Sequence, residues 1–208
     1  MGARARILLA FVCAVGATSN AAAQCVGSCT TGVAYAPGDG APNVVALQVP
    51  VTATVAAACG FATPPSGTHN EPNFDDHAWQ HDFGFTIDCS VASRVAVVST
   101  NGALLTGGVP PAGYATQAPY NVTLNVVQNA GGPATGTCAV ANLVTGGSCS
   151  FRGPASAGVG GAGLNVAVSQ NQPGSYIRVS APIYAGANIL VASTGYTDTL
   201  TVTLSPQS

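Results

Sequence analysis

The chain has 208 residues with a formal net charge of −2, no lysine, and only 6% charged residues against 47% hydrophobic ones. So few cations give no means of neutralising a row of phosphates or of holding an anionic bilayer surface, which sets aside nucleic-acid and membrane-surface partners. The 26 glycines and 14 prolines interrupt every long stretch that would otherwise suit a helix, which sets aside a helical fold.

In chain order, Arg4 and Arg6 precede an apolar run from Ile7 to Val15 and a small-residue site at Ala21-Ala22-Ala23. This is the pattern of a secretory signal peptide over residues 1–23. No later run reaches about 18 apolar residues, so no membrane insertion is expected. Val12 and Gln24 stand before Cys13 and Cys25 where a lipoprotein signal wants a small residue, so no lipid anchor is expected either. Cleavage would remove Cys13 and leave Cys25, Cys29, Cys59, Cys89, Cys138 and Cys149. An even number in an exported chain reads as disulfides. The processed chain keeps Arg94, Arg152 and Arg178 against seven acidic residues, a net charge of about −4. Such a weakly charged surface repels its own copies little, which suits self-association and is also common in exported β proteins.

Residues 24–43, with Pro37, Gly38, Gly40 and Pro42, read as an irregular extension. Residues 44–57 hold the longest alternation. Val45, Leu47, Val49, Val51, Ala53 and Val55 fall on one face, with Ala46, Gln48, Pro50, Thr52 and Thr54 on the other. Pro50 cannot donate to a ladder, so this strand belongs at an edge or faces Pro50 away from its neighbour. Residues 58–208 read as one β-sandwich domain. Period-two runs predict strands at 82–89, 94–99, 120–127, 164–169, 175–181 and 196–204. Segments 60–80, 102–119 and 131–163 read as loops.

The loop at 60–80 contains the most reactive cluster. His69, Glu71, Asp75, Asp76, His77, His81 and Asp82 lie within 14 residues, beside Trp79, the single tryptophan. His77 and His81 would share a face only if Ala78 to Gln80 turned helically, and Pro64, Pro65 and Pro72 make an exposed polar loop the better expectation. No metal is therefore expected, with His77 and His81 the weak candidates. Gly158-Val159-Gly160-Gly161-Ala162-Gly163 matches a dinucleotide fingerprint literally, but neither the preceding strand nor the following helix is predicted. The chain offers no nucleophile beside a base and no carboxylate pair across a cleft, so no enzyme and no cofactor are expected.

The last predicted strand, Tyr196 to Leu204, is followed only by Ser205-Pro206-Gln207-Ser208. An immunoglobulin-like sandwich closes with one strand more. The expected fold is thus all-β, an immunoglobulin-like sandwich that lacks its last strand and is completed by a donor strand. The acceptor edge would be Tyr196, Asp198, Leu200, Val202 and Leu204.

Several of these segments together resemble a known family. They are the alternating strand leading to Cys59, Phe83-Gly84-Phe85-Thr86-Ile87-Asp88-Cys89, Tyr120-Asn121-Val122, and the ending Gly195-Tyr196-Thr197-Asp198-Thr199-Leu200-Thr201-Val202-Thr203-Leu204. Over about residues 45 to 205 the chain resembles the spore-coat-U domain family, which includes the major subunits of archaic chaperone-usher pili. It departs from the family pattern at Pro182-Ile183-Tyr184-Ala185-Gly186, where a glycine usually follows the aromatic. The resemblance implies donor-strand complementation, with Val45, Leu47, Val49, Val51 and Val55 as anchors entering the next subunit. It implies a fimbrial subunit exported through the inner membrane to the periplasm and then the cell surface, serving adhesion and biofilm formation. Its partners would be identical subunits, a periplasmic chaperone and an outer-membrane usher. The alternative is a self-complemented secreted coat or adhesin-type binding module. The favoured disulfides are Cys59 with Cys89 and Cys138 with Cys149, while Cys25 and Cys29 either close a small loop or bond other chains.

Overall fold

The computed structural model describes Thr52 and residues 56–158, 160–193 and 195–207. The expected signal peptide, the extension with Cys25 and Cys29, and the anchors Val45, Leu47, Val49, Val51 and Val55 lie outside the described residues. All elements below belong to the unit that begins at Ala53.

That unit is all-β. Its first sheet is built on β1 (Cys59–Thr63), β2 (Trp79–Cys89), β7 (Asn121–Val126), β8 (Ala134–Ala139) and β11 (Ser175–Ala181), in the order β1-β2-β11-β7-β8. Every neighbouring pair is antiparallel. Strict alternation makes this possible, because successive side chains point to opposite faces. Phe85, Ile87, Val122, Leu124, Ile177 and Val179 are buried, while Asp82, Thr123, Asn125 and Arg178 stand on the other face. On that outer face Arg178 pairs directly opposite Asp82, its Nε and Nη2 donating to the two carboxylate oxygens at 2.6 and 2.8 Å.

The second sheet has β3 (Ser93–Ser99) at its centre, flanked by β13 (Leu200–Pro206) and β9 (Leu164–Val166). Between its polar ends β3 is apolar on both faces, with Val95 and Val97 on one and Ala96 and Val98 on the other. Val95 and Val97 look into the core, and Gly153 packs on the opposite side, where an added Cβ would meet Val98 at 2.9 Å and Ala96 at 3.2 Å. Between the sheets Phe85, Ile87, Leu124 and Ile177 meet Val95, Val97 and Val166, with Val140, Leu143 and Phe151 completing the cluster. Each fully buried side chain of this size contributes about 1.5–3 kcal/mol. Two short pairs lie outside these sheets: β4 (Leu104–Leu105) with β6 (Gln117–Ala118), and β5 (Tyr114–Ala115) parallel to β12 (Ile189–Leu190). Among the described residues the single helical element is the 3-10 turn Val140–Asn142.

Two disulfides fasten the first sheet. Cys59–Cys89 joins residues directly opposite each other on β1 and β2. Cys138–Cys149 ties β8 to the segment that carries Phe151.

Several predicted boundaries change. The strand expected at 164–169 is broken, because Leu164–Val166 pairs with β3 while β10 (Ser169–Gln170) pairs with β2, so the chain changes sheets at Ala167 and Val168. The loop expected at 131–163 contains β8, and the loop at 60–80 begins in β1 and ends in β2. The loop at 102–119 contains β4, β5 and β6. The last strand begins at Leu200, after a turn that Asp198 organises.

Candidate functional site

β13 ends its sheet: β3 lies on one side of it, and among the described residues no strand pairs along the other. The register shows which backbone groups face that open edge. Val97 gives its N–H to the carbonyl of Phe151 and accepts from Gly153, both on the side away from β13. Because antiparallel pairs alternate between bonded and non-bonded, the Val97–Val202 pair is a non-bonded one, and Thr201 and Thr203 make the ladder bonds instead. The N–H and C=O of Leu200, Val202 and Leu204 therefore point outward from the sheet edge. Their side chains turn inward and are only partly buried against the core.

Beside this edge the sandwich is open. A cleft of about 760 Å³ runs along Thr197 to Val202, with Phe83, Ile177 and Val179 of the first sheet, Tyr120, Leu104 and Trp79 among its lining residues. Phe61 of β1 and the segment from Pro64 to His69 also line it. Its lining therefore includes core side chains of the first sheet. The Trp79 indole N–H is enclosed yet has no hydrogen-bond partner. A buried donor in that state costs about 1–3 kcal/mol until it meets an acceptor.

The near end of β13 is rigidly set. Asp198 accepts hydrogen bonds from Ser99 Oγ at 2.6 Å, the Tyr120 hydroxyl at 2.7 Å, and the backbone N–H groups of Asn101 and Thr199 at 3.0 and 2.7 Å. Burial first, and then the bond to this carboxylate, push the Tyr120 phenol well above its ordinary 10.0. The Tyr196 hydroxyl lies 2.9 Å from the Val191 carbonyl and 3.2 Å from that of Ala115, tying the approach to β13 onto β5 and the end of β12. The Gly-Tyr-x-Asp-Thr signature thus reads as an anchor for the strand that borders the cleft.

A second cleft, about 990 Å³, shares His69, Trp79, Leu104 and Tyr196 with the first and is also lined by Glu71 and Phe74. There the His69 and His77 Nε2 atoms lie 3.0 and 2.9 Å from the two oxygens of Glu71. Those two bonds, His77 first, hold the Glu71 carboxyl below the usual carboxylate range. His81 follows in β2 with its ring stacked on His69, centroids 4.0 Å apart and 9° between planes. Trp79 and Gln80 are already extended, so His77 and His81 do not share a helical face. Among the described residues no three His, Cys, Asp or Glu side chains form a metal-binding group.

Of the predicted site residues, the structure brings Tyr196, Asp198, Leu200 and Val202 together at the cleft, and Leu204 continues the same edge. Sequence reasoning missed Phe61, Phe83, Leu104, Tyr120, Ile177 and Val179 as cleft residues. The alternation marked most of these as inward, but their place on the cleft depends on how the two sheets lie over each other. The glycine run at 158–163 is a turn in which Ser156 N–H bonds to the Ala162 carbonyl, and β9 follows it rather than a helix. No family model, no curated protein and no solved structure matches the chain.

Proposed function

We propose that the chain is a structural subunit of an exported surface fibre, its cleft filled by the alternating segment of residues 44–57 from a neighbouring copy. The observation that carries this reading is the cleft beside the edge of β13, along which no described strand pairs. An apolar groove bordered by unpaired backbone groups is a liability for a lone domain and a ready acceptor for an added strand. In strand addition the backbone ladder supplies affinity, and alternate side chains entering the groove supply specificity. Leu200 and Val202 offer the backbone groups, while Val45, Leu47, Val49, Val51 and Val55 have the period-two spacing that a groove of this kind accepts. The low charge and the disulfides suit an exported polymer. An open subunit needs a temporary occupant before it joins a fibre, the part that the family resemblance gives to a periplasmic chaperone, with an outer-membrane usher as exit. No catalytic role and no cofactor form part of this reading.

Deletion of residues 44–55 tests it, with electron microscopy of the exported protein as readout. The expected outcome is filaments from the intact chain and none from the deletion, which survives only when a chaperone covers the cleft. A deletion variant that melts alone, as cooperatively as the intact monomer, would overturn the proposal.

A further inference from the structure

Pro50 is the single residue of the 44–57 alternation whose backbone has no N–H to give. Along an antiparallel strand the backbone groups of successive residues turn to opposite sides. The anchors Val45, Leu47, Val49, Val51 and Val55 are odd and Pro50 is even, so the two sets serve opposite edges. The receiving edge has its own parity. On β13 the outward backbone groups belong to Leu200, Val202 and Leu204, whose side chains face the core. In an antiparallel pair, residues directly opposite exchange both bonds and carry their side chains on one face. A strand antiparallel to β13 with its anchors inward therefore bonds through its odd residues, and Pro50 turns away from β13. In a parallel pair each bonding residue reaches the two that flank its opposite number. The same anchors inward would then require bonds from the even residues, and Pro50 would leave a carbonyl of β13 without its donor.

The point at which the segment joins its own domain bears on direction too. Ala58 is held at the turn between β2 and β3, where the Ser90 N–H and Oγ donate to its carbonyl at 2.9 and 3.2 Å. The end of β13 lies at the same turn, since Pro206 pairs with Ser93 and the Gln207 N–H donates to the Ala92 carbonyl at 2.8 Å. A copy that laid its own segment along β13 would therefore have it run toward Pro206, parallel to β13. The opposite direction would leave Val55 near Leu200, about 20 Å along the strand from that turn. The three links from Val55 to Ala58 span only about 10 Å. We propose that Pro50 sets the direction of the strand and thereby its source: it admits the segment of a second copy, antiparallel to β13, and obstructs closure of a copy on its own segment. This deepens the fibre reading and rests on it.

Backbone methylation tests the direction. Fluorescent synthetic peptides of residues 44–57 are added to the full exported chain, held monomeric by dilution, and uptake is followed by anisotropy. A methyl on the Val49 or Val51 nitrogen should weaken uptake more than about 10-fold, as expected when a ladder bond is lost and its acceptor stranded, while a methyl on the Thr52 nitrogen should change it less than about 2-fold. The reverse pattern overturns the inference and keeps the groove as a strand acceptor. No uptake of any peptide, the unmodified one included, removes the proposed occupant of the groove and the inference with it. In the full chain, Pro50→Ala opens the parallel route, so monomers that melt cooperatively alone should rise about 5-fold relative to filaments, as expected for one ladder bond restored. An unchanged ratio would overturn the role given to Pro50 and leave the fibre reading standing.

Discussion

Asp198 gathers four donors from three parts of the chain, and two of them, Ser99 and Tyr120, are buried. Asp198→Ala strands the Tyr120 hydroxyl and the Ser99 hydroxyl in the interior, and the expected loss is about 3 kcal/mol in urea unfolding. The same site gives the stability curve an alkaline limb. The Tyr120 phenol is raised in the folded state, so the stability it contributes is complete below its ordinary 10.0 and declines as pH rises beyond it. Urea midpoints of the native chain should therefore fall above about pH 10. Tyr120→Phe should start lower and fall less steeply, although Tyr196, also raised by burial, keeps some slope. A variant as steep as the native chain would remove Tyr120 from this account.

At the scale of the strand, the alternation along β13 separates two neighbouring positions that differ only in direction. Thr201 bonds to β3, whereas the backbone of Val202 faces the open edge. Thr201→Pro should destabilise the unit by about 1–3 kcal/mol, since it leaves a carbonyl of β3 without its donor. Val202→Pro should leave the β3 ladder intact yet prevent filament growth, seen by electron microscopy. The reverse pattern would place the register one residue out.

The strands most legible in the sequence were those with large side chains at every second position. β11 appears with its predicted bounds, and β2, β3 and β7 differ by a few residues at the ends. β8 escaped because its inward residues are Ala134, Gly136 and Cys138. Gly136 is small for a reason: a Cβ there would meet the Phe151 ring at 3.0 Å, so the bulk that fills this part of the core arrives from a segment without alternation of its own. β1 escaped for a similar reason, since Cys-Gly-Phe-Ala-Thr carries one large apolar residue and is held by a disulfide as much as by its ladder. Counting strands pointed to an edge at the last strand, and among the described residues β13 ends its sheet. Which side chains line the cleft beside it depended on how the two sheets overlap, and alternation carries no information about overlap. The His cluster was visible as composition, but the stacking of His69 on His81 required the loop to fold back over β2.

At the scale of the whole described unit, two cross-links support the first sheet. Replacing Cys59 and Cys89 together should cost about 3–4 kcal/mol, and replacing Cys138 and Cys149 about 3 kcal/mol, on a chain-entropy estimate. Denaturant titration of the two double variants checks this, and a negligible cost for either would show that its loop is already restrained when unfolded. The two losses also differ in kind. Cys138–Cys149 secures β8, the outer strand of the first sheet, whereas β13 belongs to the second. Cys59–Cys89 secures β1, which pairs only with the last residues of β2 and carries Phe61 on the cleft.

Phe61 sits two residues from a sulfur bridge, so one wall of the cleft hangs from a bond that thiol-reducing surroundings would keep open. Before oxidation that wall has only the ladder between β1 and β2 to hold it. On the proposed reading, the redox chemistry around each copy then sets when that wall of its cleft is fastened.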